Sequence, residues 1–171
     1  MDEHGELLDK SMLDNIELNS KTLESTVNDV IQSYSDELDE YMSWVLDLLR
    51  DDTRPPTDAE LDDMALRLSS LIYFTSVGTE QMGIRDDLSR AAYKEAYNVA
   101  RSAILKGTVA DKNMQAEIDA QAEHVVHIVY SKAYKILKAK VESAQEVLAS
   151  IKKVMSRRQS EYETTRMSGY K

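Results

Sequence analysis

Lysines and arginines recur together with tyrosines in the last third of the chain. The basic residues form two clusters, the first with Lys132, Lys135, Lys138 and Lys140, the second with Lys152, Lys153, Arg157 and Arg158. The interleaved aromatic residues are Tyr130, Tyr134 and Tyr162. Cationic side chains neutralise phosphates, and aromatic rings stack on unpaired bases, so the combination predicts binding of a single-stranded nucleic acid. The alternative is an ordinary solvated basic face of a helix.

A second basic group lies near the middle of the chain. Arg90, Lys94, Arg101 and Lys106 lie close in sequence to Tyr93 and Tyr97. Because Lys94 and Arg101 are seven residues apart, a helix places both on one face. If several subunits associate, this patch repeats and forms a ring of positive charge.

Two histidines are the only candidates for metal ligands. His124 and His127 are three residues apart on one predicted helix face, with Asp119 and Glu123 nearby. No further ligand pair accompanies them, and such spacing specifies a metal only loosely. We therefore interpret them as polar helix residues and predict no metal site.

The sequence contains no recognisable catalytic motif. It lacks a glycine-rich phosphate loop, a nucleophile elbow and an HExxH pattern. It contains no cysteine, which excludes a thiol nucleophile. The adjacent carboxylates of residues 62–63 and 86–87 lie near predicted helix starts, where the helix dipole favours them without any catalytic role. We predict no catalytic residue and no cofactor, and hence a protein that is not an enzyme.

The first half of the chain is predicted to form two helices joined at a proline pair. Apolar residues recur every three or four positions from about residue 21 to 50, which indicates a helix, while residues 1–20 are expected to form a mobile or loosely helical arm. Pro55 and Pro56 must end this helix. Thr57 and Glu60 form a capping-box pattern that begins a second helix, expected to run to about residue 77 before Gly78 and Gly83 loosen the chain.

The second half is predicted to form a third helix and a very long fourth one. The third covers about residues 85–106, and Gly107 ends it. Its apolar stripe consists of Leu88, Ala92, Ala96, Val99 and Ala103, with Tyr93, Tyr97, Ala100 and Ile104 beside it. After a cap at residues 108–111, neither glycine nor proline interrupts the chain until Gly169.

A heptad-like seam follows the fourth helix and predicts partner helices along its length. The seam consists of Tyr130, Ala133, Leu137, Val141, Ala144, Leu148, Ile151, Met155, Arg158 and Tyr162. One chain of 171 residues is too short to cover such a rod, so we expect it to form a homo-oligomer.

Composition agrees with an all-α protein of about four helices, the last very long, that assembles as a helical oligomer. The chain is 42% hydrophobic and 30% charged, with five glycines and two prolines, which is few for a sheet protein with many turns. Its acidic first residues contain no apolar run, so neither a secretory signal nor a membrane span is expected there. We predict a cytoplasmic protein.

Charge is unevenly distributed along the chain. The net charge is −10, but residues 1–88 contain 22 acidic and 6 basic residues, whereas residues 89–171 contain 9 and 15. This asymmetry suggests that the basic half meets a polyanion, although it can also serve solubility alone. It also suggests a division into an acidic N-terminal arm and helix, residues 1–56, and a helical core domain, residues 57–171.

The order of features over residues 61–166 resembles that of the UvsY-like phage recombination mediators. The similar stretches are residues 65–73, the segment KEAYNVAR at 94–101 leading to Gly107, and LASIKK at 148–153 with SRR at 156–158 in the long terminal helix. The family's DNA contacts include a lysine and an arginine two positions apart before that glycine. Arg101 occupies the arginine position and Val99 the lysine position.

The resemblance implies a function in homologous recombination. Members of that family are small helical proteins that form rings, bind single-stranded DNA and help load a RecA-like recombinase onto strands coated by single-strand-binding protein. The rival interpretation is a helical interaction protein without nucleic-acid binding, such as a phage structural, scaffold or host-defence-countering factor.

Overall fold

The computed structural model describes residues 3–51 and 53–168, with side chains for 17–51 and 53–167. Over that range it contains four helices and no strand: α1 Glu3–Arg50, α2 Asp58–Ala103, α3 Val109–Asp119 and α4 Gln121–Ser168. The prediction of an all-α chain with four helices and a long C-terminal one is confirmed. No helix of the described residues is both long and apolar enough to cross a membrane.

Local signals set the start of α2 and of α3 as the sequence predicts. The Glu60 N–H donates to the Thr57 hydroxyl at 3.3 Å, and the Thr57 N–H donates to the Glu60 carboxylate at 2.8 Å. Donation from Thr57 holds the pKa of Glu60 below its ordinary value. The same reciprocal box joins Thr108 to Asp111 ahead of α3. Gly107 adopts a φ of 111° in the turn before α3, but α2 already ends at Ala103, so Gly107 does not end the helix as predicted.

The predicted break at Gly78 and Gly83 is wrong, because α2 continues through both residues. A Cβ atom on Gly78 would lie 2.5 Å from Cδ1 of Tyr34, and one on Gly83 would lie 3.2 Å from Cε2 of Tyr134. Each glycine therefore admits an aromatic ring close to the helix backbone. The predicted third helix is the second half of α2.

Two further helix boundaries differ from the predicted ones. The first helix begins at Glu3 rather than near residue 21, so the predicted loosely helical arm is part of α1. The predicted unbroken terminal helix is divided at Ala120, between α3 and α4. Ala120 is fully buried, so packing and not a helix-breaking residue marks this boundary.

The chain divides into two compact units. The first comprises Met1–Ser33 with Gln81–Lys135, and the second comprises Tyr34–Glu80 with Ile136–Lys171. These units reflect packing, whereas the predicted division after residue 56 followed charge and the proline pair, so that division stays a prediction.

The second unit buries one apolar core contributed by α1, α2 and α4. Its fully enclosed members include Leu38, Val45, Leu61, Met64 and Leu68. The predicted seam of α4 enters this core through Val141, Ala144 and Ile151. That part of the seam is therefore covered by the chain's own helices and does not require another subunit. Self-assembly stays a prediction.

The first unit packs α2 by a different face from the predicted one. Leu88 and Val99, both members of the predicted stripe, are 65% and 62% exposed. The buried side chains of this segment are instead Met82, Asp86 and Ser89. Two of these three are polar, so apolar periodicity did not identify them. The predicted neighbours of the stripe, Tyr93, Tyr97, Ala100 and Ile104, are half-buried.

Candidate nucleic-acid interface

Every basic residue predicted to contact nucleic acid is exposed. These residues are Lys94, Arg101, Lys106, Lys132, Lys135, Lys138, Lys152, Lys153 and Arg157. Arg157 lies 3.7 Å from Glu161 in an exposed pair, and the other eight form no ion pair within the described part of the chain. Their charges are thus available to an external anion.

The predicted set is shared between the two units. The first unit contains Lys94, Arg101 and Lys106, together with Lys132 and Lys135 of α4. The second unit contains the other four, all on α4: Lys138, Lys152, Lys153 and Arg157. The set is therefore described as two groups, one for each unit.

Two basic residues of the original clusters are held by internal partners in the second unit. Lys140 donates to the carboxylate of Asp39. Arg158 donates to the Pro56 carbonyl at 2.8 Å and to Oδ1 of Asp58 at 2.9 Å. Arg158 therefore attaches α4 to the first residue of α2, and both clusters have fewer free cations than the sequence suggests.

Acidic residues interrupt the basic face of α4 in the second unit. Glu142 follows Lys138 by four residues and so lies on the same side of the helix, and Glu146 follows one turn later. Both are exposed, whereas Lys152 and Lys153 lie beyond them. A continuous track of positive charge is absent from this stretch of the described chain.

The first unit contains an open cavity that combines aromatic, amide and charged groups. Its volume is about 350 Å³, and it is lined by Tyr93, Lys94, Tyr97 and Asn98 of α2 with Glu117 of α3. Both tyrosines are half-buried. Predicted aromatic and basic residues meet here, as Arg158 and Tyr162 also do at a cavity of the second unit.

A ring stack holds one wall of this cavity in position. The rings of Tyr93 and His124 are 4.6 Å apart between centroids, with their planes at 17°. Tyr93 is on α2 and His124 on α4, so the stack joins two helices of the same unit. An aromatic wall that is already fixed loses little conformational entropy when a ligand stacks beside it.

A buried polar cluster lies one to two turns before the cavity along α2. Asp86 accepts from Arg90 at 3.0 Å through Oδ2, and its Oδ1 lies 3.2 Å from Nδ1 of His127. That Oδ1 has no hydrogen-bond partner among the described residues, so the imidazole lies close to it without an aligned hydrogen bond. Ser89 lies 3.4 Å from the same nitrogen. The cluster fixes α2 against α4.

The interpretation of Asp86 from sequence is therefore corrected. It was expected near a helix start, where the dipole favours a carboxylate, but it lies inside α2 and is 5% exposed. Its partner His127 is 41 positions later, and nothing local in the sequence signals that pairing.

Among the described residues, no group of three or more His, Asp or Glu side chains is arranged to hold a metal.

The tyrosines of α4 differ in their availability for stacking. Tyr134 packs against Gly83 of α2 and is half-buried. Tyr130 is half-buried at a groove between α1 and α4, and Tyr162 is 65% exposed. The three tyrosines interleaved with the basic clusters thus differ in how much of each ring is open to a base.

Sequence reasoning did not identify Asn98 and Glu117 as site residues. Asn98 lies inside the segment that resembles the recombination mediators, but no property of an isolated asparagine marked it. Glu117 reaches the cavity only because the turn at Gly107 brings α3 back beside α2.

Comparison with protein-family models, curated proteins and solved structures finds no match for this chain. The resemblance therefore stays a prediction.

Proposed function

We propose that this chain binds single-stranded DNA and acts as a recombination mediator, helping to load a RecA-like recombinase onto strands covered by single-strand-binding protein. The observation that carries the DNA-binding part is the cavity in which Tyr93, Tyr97 and Lys94 meet. The mediator part rests on the resemblance of residues 61–166 to that family.

The cavity favours a single strand because its rings require bases that are free to unstack. Bases in a duplex present their faces only to each other, whereas those of a single strand can stack on aromatic side chains. Arg101 lies seven residues after Lys94 on the same helix, about 10 Å along its axis. One strand can therefore place a base between the tyrosines and its phosphates on both cations.

The proposed mechanism is positional and involves no covalent chemistry. Binding would hold a strand in a conformation that the recombinase can capture, while single-strand-binding protein is released. A homo-oligomer would repeat the patch and lengthen the bound strand. The acidic surface of α1, which includes Asp36, Glu37 and Asp47, would repel DNA and limit contact to the basic groups.

Fluorescence anisotropy of labelled single-stranded and duplex oligonucleotides tests the DNA-binding part. We expect the single strand to bind more tightly, with an affinity that falls steeply as salt rises. Arg101→Ala should weaken binding and reduce the salt slope by about 0.7, the contribution of one phosphate contact on a single strand. Arg166→Ala removes the same charge outside the site and serves as the control. No binding at low salt contradicts the proposal.

The mediator part has its own test. The lag before a RecA-like recombinase hydrolyses ATP on strands precoated with single-strand-binding protein should shorten when this chain is added. An unchanged lag, with strand binding intact, would leave a DNA-binding protein without mediator function. Light scattering measures the oligomeric state separately, and a strict monomer contradicts the oligomer.

A second candidate function is favoured by apolar side chains on α2 of the second unit. Leu66, Tyr73 and Phe74 are 74%, 65% and 67% exposed. Exposed apolar groups of this size are typical of protein-binding surfaces, as expected for a phage structural, scaffold or host-defence-countering interaction protein. This function predicts no strand binding in the anisotropy assay, and the paired substitution Tyr73→Ser, Phe74→Ser should then abolish association with a protein partner.

A further inference from the structure

Two opposite charges face the same cavity of the first unit without pairing. Lys94 and Glu117 both line it, yet they form no ion pair, and Glu117 accepts no hydrogen bond from any described residue. The neighbouring carboxylate of Asp111, by contrast, is occupied by the cap of α3. Glu117 thus offers two free acceptor oxygens beside the rings of Tyr93 and Tyr97.

A carboxylate beside a stacking platform discriminates between bases by their donors. Ionised Glu can only accept hydrogen bonds. Guanine presents two adjacent donors, N1–H and the N2 amine, which match the two oxygens. Adenine and cytosine each place an acceptor beside their amine, and thymine flanks its one N–H with two carbonyls. Those three bases set a lone pair against one carboxylate oxygen.

The remaining groups of the cavity complement the rest of a guanine nucleotide. The Asn98 side-chain amide can donate to the guanine O6, and Lys94 can contact a phosphate. A volume of about 350 Å³ is at the lower end of the range of roughly 300–1,000 Å³ for small-ligand sites. One nucleotide unit is thus a suitable occupant.

We propose that this cavity is a guanine-recognition site, in which Glu117 binds N1–H and the N2 amine of a base that stacks on the tyrosines. This inference rests on the proposed function, since the guanine is supplied by the bound single strand. The same chemistry would recognise a free guanine nucleotide, and the experiment separates these two sources.

The test uses thymine oligonucleotides that contain one guanine, or inosine at the same place. The base of inosine differs from guanine only in lacking the N2 amine. We expect the guanine strand to bind about fivefold more tightly, the lower end of the discrimination that a bidentate pair provides. Glu117→Gln should make the affinities for the guanine and inosine strands equal. Glu95→Gln, an equivalent change at an exposed site outside the cavity, should preserve it.

The outcomes distinguish this inference from the proposed function. Tight strand binding with equal affinity for guanine and inosine overturns the inference and leaves the function in place. If no oligonucleotide binds, the function fails, and a titration of the full chain with dGMP then decides the inference by NMR. Shifts of the Tyr93 and Tyr97 ring resonances that are lost in Glu117→Gln would support a free-nucleotide site. No shift with dGMP would overturn it.

Discussion

Replacing Gly78 by alanine has two opposite effects on the free energy of unfolding, a gain from higher helix propensity and a loss from overpacking. In an exposed helix the change stabilises by about 1 kcal/mol, since alanine loses less backbone entropy than glycine. Here the new methyl group would lie 2.5 Å from Cδ1, 3.3 Å from Cγ and 3.4 Å from Cβ of Tyr34. The atoms in the way belong to the base of the side chain, so the whole ring must move. Overpacking of this kind costs about 1–3 kcal/mol.

The expected result of Gly78→Ala is a net loss of about 1 kcal/mol in the free energy of unfolding, because the packing cost exceeds the gain in propensity. Urea unfolding followed by far-ultraviolet circular dichroism measures it as a lower midpoint with an unchanged slope. The same substitution in a Tyr34→Ala background provides the control. Without the ring the methyl group meets no obstacle, so the change should stabilise that background by about 1 kcal/mol.

Two results would refute the reasoning. One is a rise of about 1 kcal/mol in the free energy of unfolding when Gly78→Ala is made in the otherwise native chain, which would mean that Tyr34 does not pack on Gly78. The other is an identical effect in both backgrounds, which removes the proposed coupling. Gly83→Ala gives a graded comparison, because its methyl group would lie 3.2 Å from Cε2 of Tyr134, near the outer edge of the ring. Its effect should lie close to zero.

Two further predictions concern single contacts of the first unit. His127→Leu should destabilise the chain by about 1–3 kcal/mol, since the buried carboxylate of Asp86 loses the imidazole nitrogen that lies 3.2 Å from its Oδ1. Adding Asp86→Leu should recover part of the loss in urea unfolding. Hydrogen bonds from the Thr108 hydroxyl and, to a smaller extent, from its N–H lower the pKa of Asp111 in the folded chain. The cap therefore stabilises α3 fully at a pH above the ordinary pKa of 3.8, and this stabilisation is lost as the pH falls through the lower pKa of the folded state. The amide protection factors in α3, which correct for the intrinsic pH dependence of exchange, should therefore fall in acid, and Asp111→Asn should remove most of that change.

The candidate site could be predicted only in part. The exposed cations Lys94 and Arg101 and the nearby tyrosines were accessible from residue type and helical spacing. Whether a cation is free, however, depends on partners far away in sequence. Arg158 is held by residues about 100 positions earlier, and Glu117 joins the cavity only through the turn before α3. Charge patterns do not report such pairings.

Residue order by itself determined the helical class and those boundaries that depend on a few adjacent atoms. The proline pair and the capping boxes begun by Thr57 and Thr108 act through backbone geometry and hydrogen bonds within one turn, so they could be predicted from adjacent residues. Tertiary packing decided the rest. It allowed aromatic rings to approach Gly78 and Gly83, and it buried Asp86 instead of Leu88. The physical reason is that burial is a property of neighbours brought together by folding, and one helix in isolation cannot specify which of its faces they cover.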